Sequence, residues 1–242
     1  MPYRSSLSPA QNQALENWLS LHLNGVPQVS WLNWLEIAEE KAALEYALTQ
    51  LSCMGSGNQA YQIKEILDEL AADFALLYPG GSIEQLMHFL FVEQAYTSPP
   101  EEAPNCQYDN LAWVLQHKKG SQVALSCLAI LVAHRLDIPL DGISIQGNFI
   151  TISFAGEKMQ MFNSFNQGQP LARASVMYIE EAFRRNQIAP GEMKAEVHEI
   201  VIQILKNGIE ANHRLQKLEE ARRYIGLYKE LIQELQYRGM EA

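Results

Sequence analysis

The chain is poor in the features that would place it outside the class of globular, metal-free proteins. Nowhere in its 242 residues is there an uninterrupted apolar run of the ~18 residues a helical membrane span needs. The opening stretch, MPYRSSLSPAQ, lacks the apolar core of a secretory signal. Cysteine is scarce: Cys53, Cys106 and Cys127 are the full set. An odd, widely spaced trio excludes a disulfide framework and fits a reducing, cytoplasmic compartment. No CxxC or HxxxH pair is present, so no metal centre is expected, and no cofactor. Positive charge is short as well, with 18 Lys and Arg against 28 Asp and Glu and a net charge of −10. The deficit is uneven. Residues 1–157 carry 6 basic and 17 acidic side chains, whereas residues 158–242 carry 12 and 11. An acidic front repels phosphates and anionic lipid, which argues against nucleic-acid and membrane partners. The mixed-sign tail has the pattern of a solvated helical face.

What is present is mostly helical periodicity. Ser8-Pro9-Ala10-Gln11 starts a helix with a capping box, and the helix runs to about Leu23. A second helix is expected over residues 29–53 and a third over residues 59–78. The third places Ile63, Ile66, Leu67, Leu70 and Phe74 on one stripe. Ser82 to Gln85 forms another capping box and leads an aromatic helix through Phe89 and Tyr96. Pro99-Pro100 and Glu101-Glu102 mark a loop. Asp109 is the expected cap of a short helix to Gln116, and Ser121 that of a helix over residues 122–136 closed by Asp137-Ile138-Pro139. Leu125, Leu128, Val132 and Leu136 give this helix an apolar stripe. Strands follow at residues 142–146, 149–154 and 158–162, separated by Gly147-Asn148 and Ala155-Gly156-Glu157 turn signals. Helices return at 172–186, 192–211 and 214–235, with a break at Pro190-Gly191 and a turn near Asn212-His213.

Several pieces together carry a resemblance. They are Leu86-x-x-Phe89-Leu90-Phe91-x-Glu93-Gln94-x-Tyr96, Lys119-Gly120-x-x-x-x-Leu125, Arg135-Leu136-x-Ile138-Pro139 and Phe162-Asn163-x-Phe165-Asn166-x-Gly168. With these, residues 80–235 resemble the bacterial SirB-type (invasion regulator) transglutaminase-like proteins. The resemblance implies an α+β fold, predominantly helical. Its papain/transglutaminase-like core has a small antiparallel sheet, preceded by a helical N-terminal region and followed by a C-terminal tetratricopeptide-like hairpin. The implied regions are 1–98, 106–188 and 190–242.

The wider superfamily works through a Cys-His-Asp constellation. A thiolate at a helix N-terminus attacks, a histidine shares its proton and a carboxylate orients the histidine. Carried over position by position, these roles fall on Gln122, Asn148 and Asn163. A glutamine amide is no nucleophile, and an asparagine does not titrate near neutrality. The resemblance therefore implies a catalytically inactive member that acts as a regulatory or protein-binding module. If the fold holds, Gly120, Ser121, Gln122, Asn148, Asn163 and Ser164 line one pocket in which amides both donate and accept. The rival is a cysteine-type hydrolase or amidase using Cys127 or Cys106. Cys127 sits beside the apolar stripe, where a thiol is inert. His134 and His117 read as packed or surface residues.

Overall fold

The computed structural model describes residues 31–56, 62–100, 107–145, 148–155, 158–188 and 193–240. Its contacts divide the chain into residues 1–33 and residues 34–242, and the elements below belong to the second unit. The expected helix at Ser8–Leu23 lies outside the described residues. So do Cys106, Gly147, Gly156-Glu157 and Pro190-Gly191.

The expected helix over 29–53 begins later than the periodicity suggests. Helix α1 is Glu40–Ser56. The carboxylate of Glu39 accepts from the N–H groups of Lys41 and Ala42, so the first turn is capped there rather than upstream. Helix α2 is Ile63–Leu77 and buries Ile63, Leu67, Leu70, Ala71 and Phe74 on one stripe. Helix α3, Ile83–His88, starts at Ser82 with the full capping box. It then widens into a π-turn over Phe89–Glu93. Helix α4 is Leu111–His117 and is capped by Asn110, not Asp109: Asn110 Oδ1 accepts from the N–H of Trp113 at 3.0 Å.

Helix α5, Gln122–Arg135, is the centre of the molecule. Its residues from Val123 to Ala133 are all buried. The stripe expected from sequence is thus an underestimate, because the helix is enclosed on all sides. Helices α1, α2, α3 and α4 pack on it, and so does the sheet. At its C-terminal end Arg135 donates to Glu45 of α1 and to Asp68 of α2, tying three helices together.

The sheet is antiparallel, ordered β1 (Asp141–Ile145), β2 (Asn148–Ala155), β3 (Lys158–Asn163) and β4 (Gln169–Pro170). Strand β4 was not legible in the sequence, being only two residues long with a proline. Ile152 stands opposite Met161, and Thr151 opposite Phe162. Alternation then sorts the sheet into two faces. Ile143, Ile150, Ile152 and Met161 cluster with Val176 of helix α6, Arg173–Arg185. Phe149, Thr151, Ser153 and Phe162, all buried, form the face against α5. Gly142 is required there: a Cβ would come within 2.3 Å of the Phe149 ring. Beyond β1, the N–H of Ala195 donates to the carbonyl of Gly142 at 2.7 Å, which leads the chain into the tail.

The tail is a helical hairpin of α7, Val197–Arg214, and α8, Leu218–Tyr237. Its turn falls at Leu215–Lys217, slightly later than Asn212-His213, with Gln216 in the left-handed region at φ 57°. The two helices meet closely at Gly208, where a Cβ would lie 2.3 Å from the Tyr224 ring. The architecture is α+β and mostly helical.

Candidate functional site

The N-terminus of α5 is fixed by backbone before any side chain acts. The N–H of Thr97 donates to the carbonyl of Lys118 at 2.9 Å, and the N–H of Gly120 donates back to Thr97 at 3.1 Å. Gly120 is buried so closely that a Cβ would sit 3.1 Å from both γ-carbons of Val114. The N–H of Ser121 donates to the carbonyl of Tyr108 at 2.8 Å. Ser121 then caps the helix as expected, its Oγ accepting from the N–H of Ala124 at 3.2 Å.

The Ser121 hydroxyl also donates to Oδ1 of Asp109. The same oxygen accepts from Nδ2 of Asn207 in α7 at 3.0 Å. Asn207 in turn accepts from Nε2 of Gln203 at 2.8 Å. One carboxylate thus ties the start of α5 to the tail. Burial pushes the Asp109 carboxyl above the ordinary aspartate range, and the hydrogen bonds from Ser121 and Asn207 partly offset this. Sequence reasoning missed the link. Its signal was an Asn four residues after a Gln inside an apolar helix, where side-chain amides are poor helix formers unless they have a partner.

Gln122 is the first residue of α5 and is half-buried. One turn on, the hydroxyl of Ser126 meets that of Ser164 at 3.2 Å, and both are buried. Gly120, Ser121, Gln122 and Ser164 therefore gather at one end of α5. Asn163 adjoins Ser164, but its Oδ1 is occupied by the N–H of Phe165 at 3.0 Å, capping a 3-10 turn over Ser164–Asn166. Asn148 opens β2 opposite Ile145 and is exposed. By strand alternation Asn148 and Asn163 stand on the face that carries Ile150 and Met161, whereas α5 covers the other face. Among the described residues no hydrogen bond joins the three amides.

The interface between α5 and the sheet contains hydroxyls, and each has a partner. Thr151 donates to the carbonyl of Phe162 at 3.3 Å, and Ser153 to that of Pro139 at 2.7 Å. Cys127 lies fully buried within α5. Burial pushes its thiol far up, the charge of Asp109 adds to this, and Lys41 opposes it. Cys53 is exposed. His134 is an exposed neighbour of Glu39 at 3.8 Å. His117 stacks on Trp113 with ring centroids 4.2 Å apart, and its Nδ1 is 2.9 Å from the Trp113 carbonyl. Among the described residues no group of three His, Cys, Asp or Glu is placed to hold a metal ion. None of the described helices is long and apolar enough to cross a membrane.

A helix enclosed by helices on one side and by an antiparallel sheet on the other, its N-terminus beside a strand-end loop, is the layout the sequence motifs imply. Residues 60–207 match the profile of the transglutaminase-like superfamily, more than half of the chain. The chain belongs to the transglutaminase-like superfamily. Among curated proteins it is similar to the UPF0162 protein of two Xylella fastidiosa strains, 31% identical over 83 residues, covering 34% of this chain and 30% of theirs. It is also similar to the UPF0162 protein of Vibrio cholerae, 27% identical over 99 residues, covering 39% of this chain and 37% of that one. The chain thus spans about a third of the length of the curated relatives it matches. No solved structure matches it. At the α5 terminus the first helical position is an amide, and the nearby carboxylate of Asp109 holds a serine and an asparagine.

Proposed function

We propose that this transglutaminase-like protein is of the SirB type, no longer performs the superfamily's acyl-transfer chemistry, and acts as a regulatory module by binding another protein in the cytoplasm. The observation that carries the proposal is the state of the thiols relative to α5. The helix N-terminus, where a thiolate would be stabilised, holds Gln122, and the cysteine of the same helix is sealed in the core with its pKa raised. Neither Asn148 nor Asn163 supplies a base or a carboxylate to complete a relay. The division of labour we propose is a helical region at 1–98, the transglutaminase-like core at 106–188 and a binding hairpin at 190–242. The hairpin suits that role because α8 buries only Ala221, Leu231 and Leu235 and leaves Leu218 and Tyr237 exposed.

Removing the tail would be a poor test, since α7 packs on α5 and holds Asp109. Surface variants keep the fold. A pull-down from native lysate with the full chain is compared with Leu218→Asp and Tyr237→Ala. Recovery of the wild-type partner is expected to fall by about tenfold. Undiminished recovery would move binding away from the hairpin.

A further inference from the structure

The outer strand of the sheet, β4, covers only the end of β3. Strand β4 pairs only as Phe162 with Pro170 and Asn163 with Gln169. One more bond, from the N–H of Leu171 to the carbonyl of Met161 at 2.8 Å, completes the contact. The Met161 carbonyl therefore points outward from the sheet, and so do the N–H and carbonyl of Met159 two residues earlier. Among the described residues nothing takes up those two groups of Met159.

A groove of about 530 Å³ opens along this edge. It is lined by Met159 and Met161 from one face of the sheet and by Gln160 from the other, so it straddles the strand edge itself. On the methionine side its wall is the α6 stripe Arg173, Val176, Met177 and Glu180, with Met177 exposed. On the Gln160 side it is Glu84 of α3, which accepts from Nε2 of Gln160. The α6 side is thus apolar at its centre, with Arg173 and Glu180 at its ends, and the other side presents the carboxylate of Glu84.

We propose that the β3 edge between α3 and α6 is a strand-addition site for an extended peptide of alternating apolar and basic residues. The unpaired backbone of Met159 selects an extended main chain, because only a strand returns both hydrogen bonds. Side chains of an added strand alternate in direction. Every second residue then meets Met159 and Met177 and is best apolar. The residues between them meet Glu84 and are best basic. This surface is separate from the tail hairpin, and it stands whether or not the α5 terminus is chemically silent.

The test uses the full chain and a fluorescein-labelled acetyl-Lys-Val-Lys-Val-Lys-Val-amide, read by fluorescence anisotropy. Saturable binding is expected. It should weaken by about tenfold in Met159→Pro, since a proline at an edge position facing outward leaves the sheet intact but removes the donor. Glu84→Gln should weaken it about threefold. The same peptide with alternate amides N-methylated keeps its charge and should not bind. Circular dichroism of each variant establishes that the sheet persists. If Met159→Pro unfolds, the N-methylated peptide against the wild-type chain decides alone. The proposal is overturned by no saturation at about 1 mM peptide, or by equal binding of the N-methylated peptide. It is also overturned if the edge instead pairs two copies of this chain, seen as a dimer in sedimentation that Met159→Pro abolishes.

Discussion

The start of α5 and the outer margin of β3 are built in opposite ways. At the first, the hydroxyls and the carboxylate have partners within the chain: Ser121 caps and is held by Asp109, Asp109 is held by Asn207, and Ser126 meets Ser164. Gly120 is packed to the limit of contact. At the second, a strand edge is left after two paired residues, beside a helix that buries only Val176. The superfamily's chemistry would need the first region to be open and reactive. In this chain Ser121, Asp109, Ser126 and Ser164 are engaged in structural hydrogen bonds there, whereas the backbone groups of Met159 face outward at the other margin. A superfamily fold fixes where a helix meets a sheet, but the side chains decide which edge is available for work.

The packing contrast is tested most strongly by truncation. Leu128→Ala, in the enclosed helix, should lower stability by about 2–5 kcal/mol, whereas Val176→Ala on α6 should cost about 1 kcal/mol, read from urea melts. Equal losses would erase the distinction. Next in size is Asp109→Ala. It leaves the Ser121 hydroxyl and the Asn207 amide without their shared acceptor and should cost about 2–3 kcal/mol.

The carboxylate also predicts a pH signature. Its folded pKa is raised above 3.8, so the native state binds the proton more tightly than the unfolded state. The resulting stability is complete below the unfolded value and is lost as pH rises through the folded one. Wild type should therefore gain stability relative to Asp109→Asn as pH falls toward 3.8. A difference between the two proteins that does not vary over that window would show that Asp109 is not titrating there. The smallest effect is expected at Gln122→Ala. With no hydrogen bond to lose among the described residues, the helix should keep its stability within about 0.5 kcal/mol. A larger loss would mean that the amide is tied into the site after all.

Much of the fold was readable because local chemistry and tertiary structure agree. Ser82 and Ser121 cap where their sequences say they should. The alternating residues of β2 and β3 pair antiparallel, as their pattern suggests. What could not be read depended on distant partners. Asn110 rather than Asp109 caps α4, because Asp109 is engaged by α7, almost a hundred positions away. The enclosure of α5 could not be inferred from a stripe, since helices on several sides cover it at once. The two-residue β4 carries no periodic signal at all. At the site, the identities of Gln122, Asn148 and Asn163 were legible. That Asn148 and Asn163 stand on the sheet face away from α5 and Gln122 was not, because it follows from the β2 and β3 registers.

The central claim, that the α5 terminus holds no nucleophile and that no other thiol replaces one, is tested most directly by native-state alkylation. Iodoacetamide is added near neutral pH, and labelling of Cys53, Cys106 and Cys127 is followed by mass spectrometry. Exposed Cys53 should label at the rate of an ordinary thiol, Cys106 no faster, and Cys127 only once the chain is unfolded. Rapid labelling of Cys127 or Cys106 in the folded protein would contradict the account and restore a cysteine enzyme.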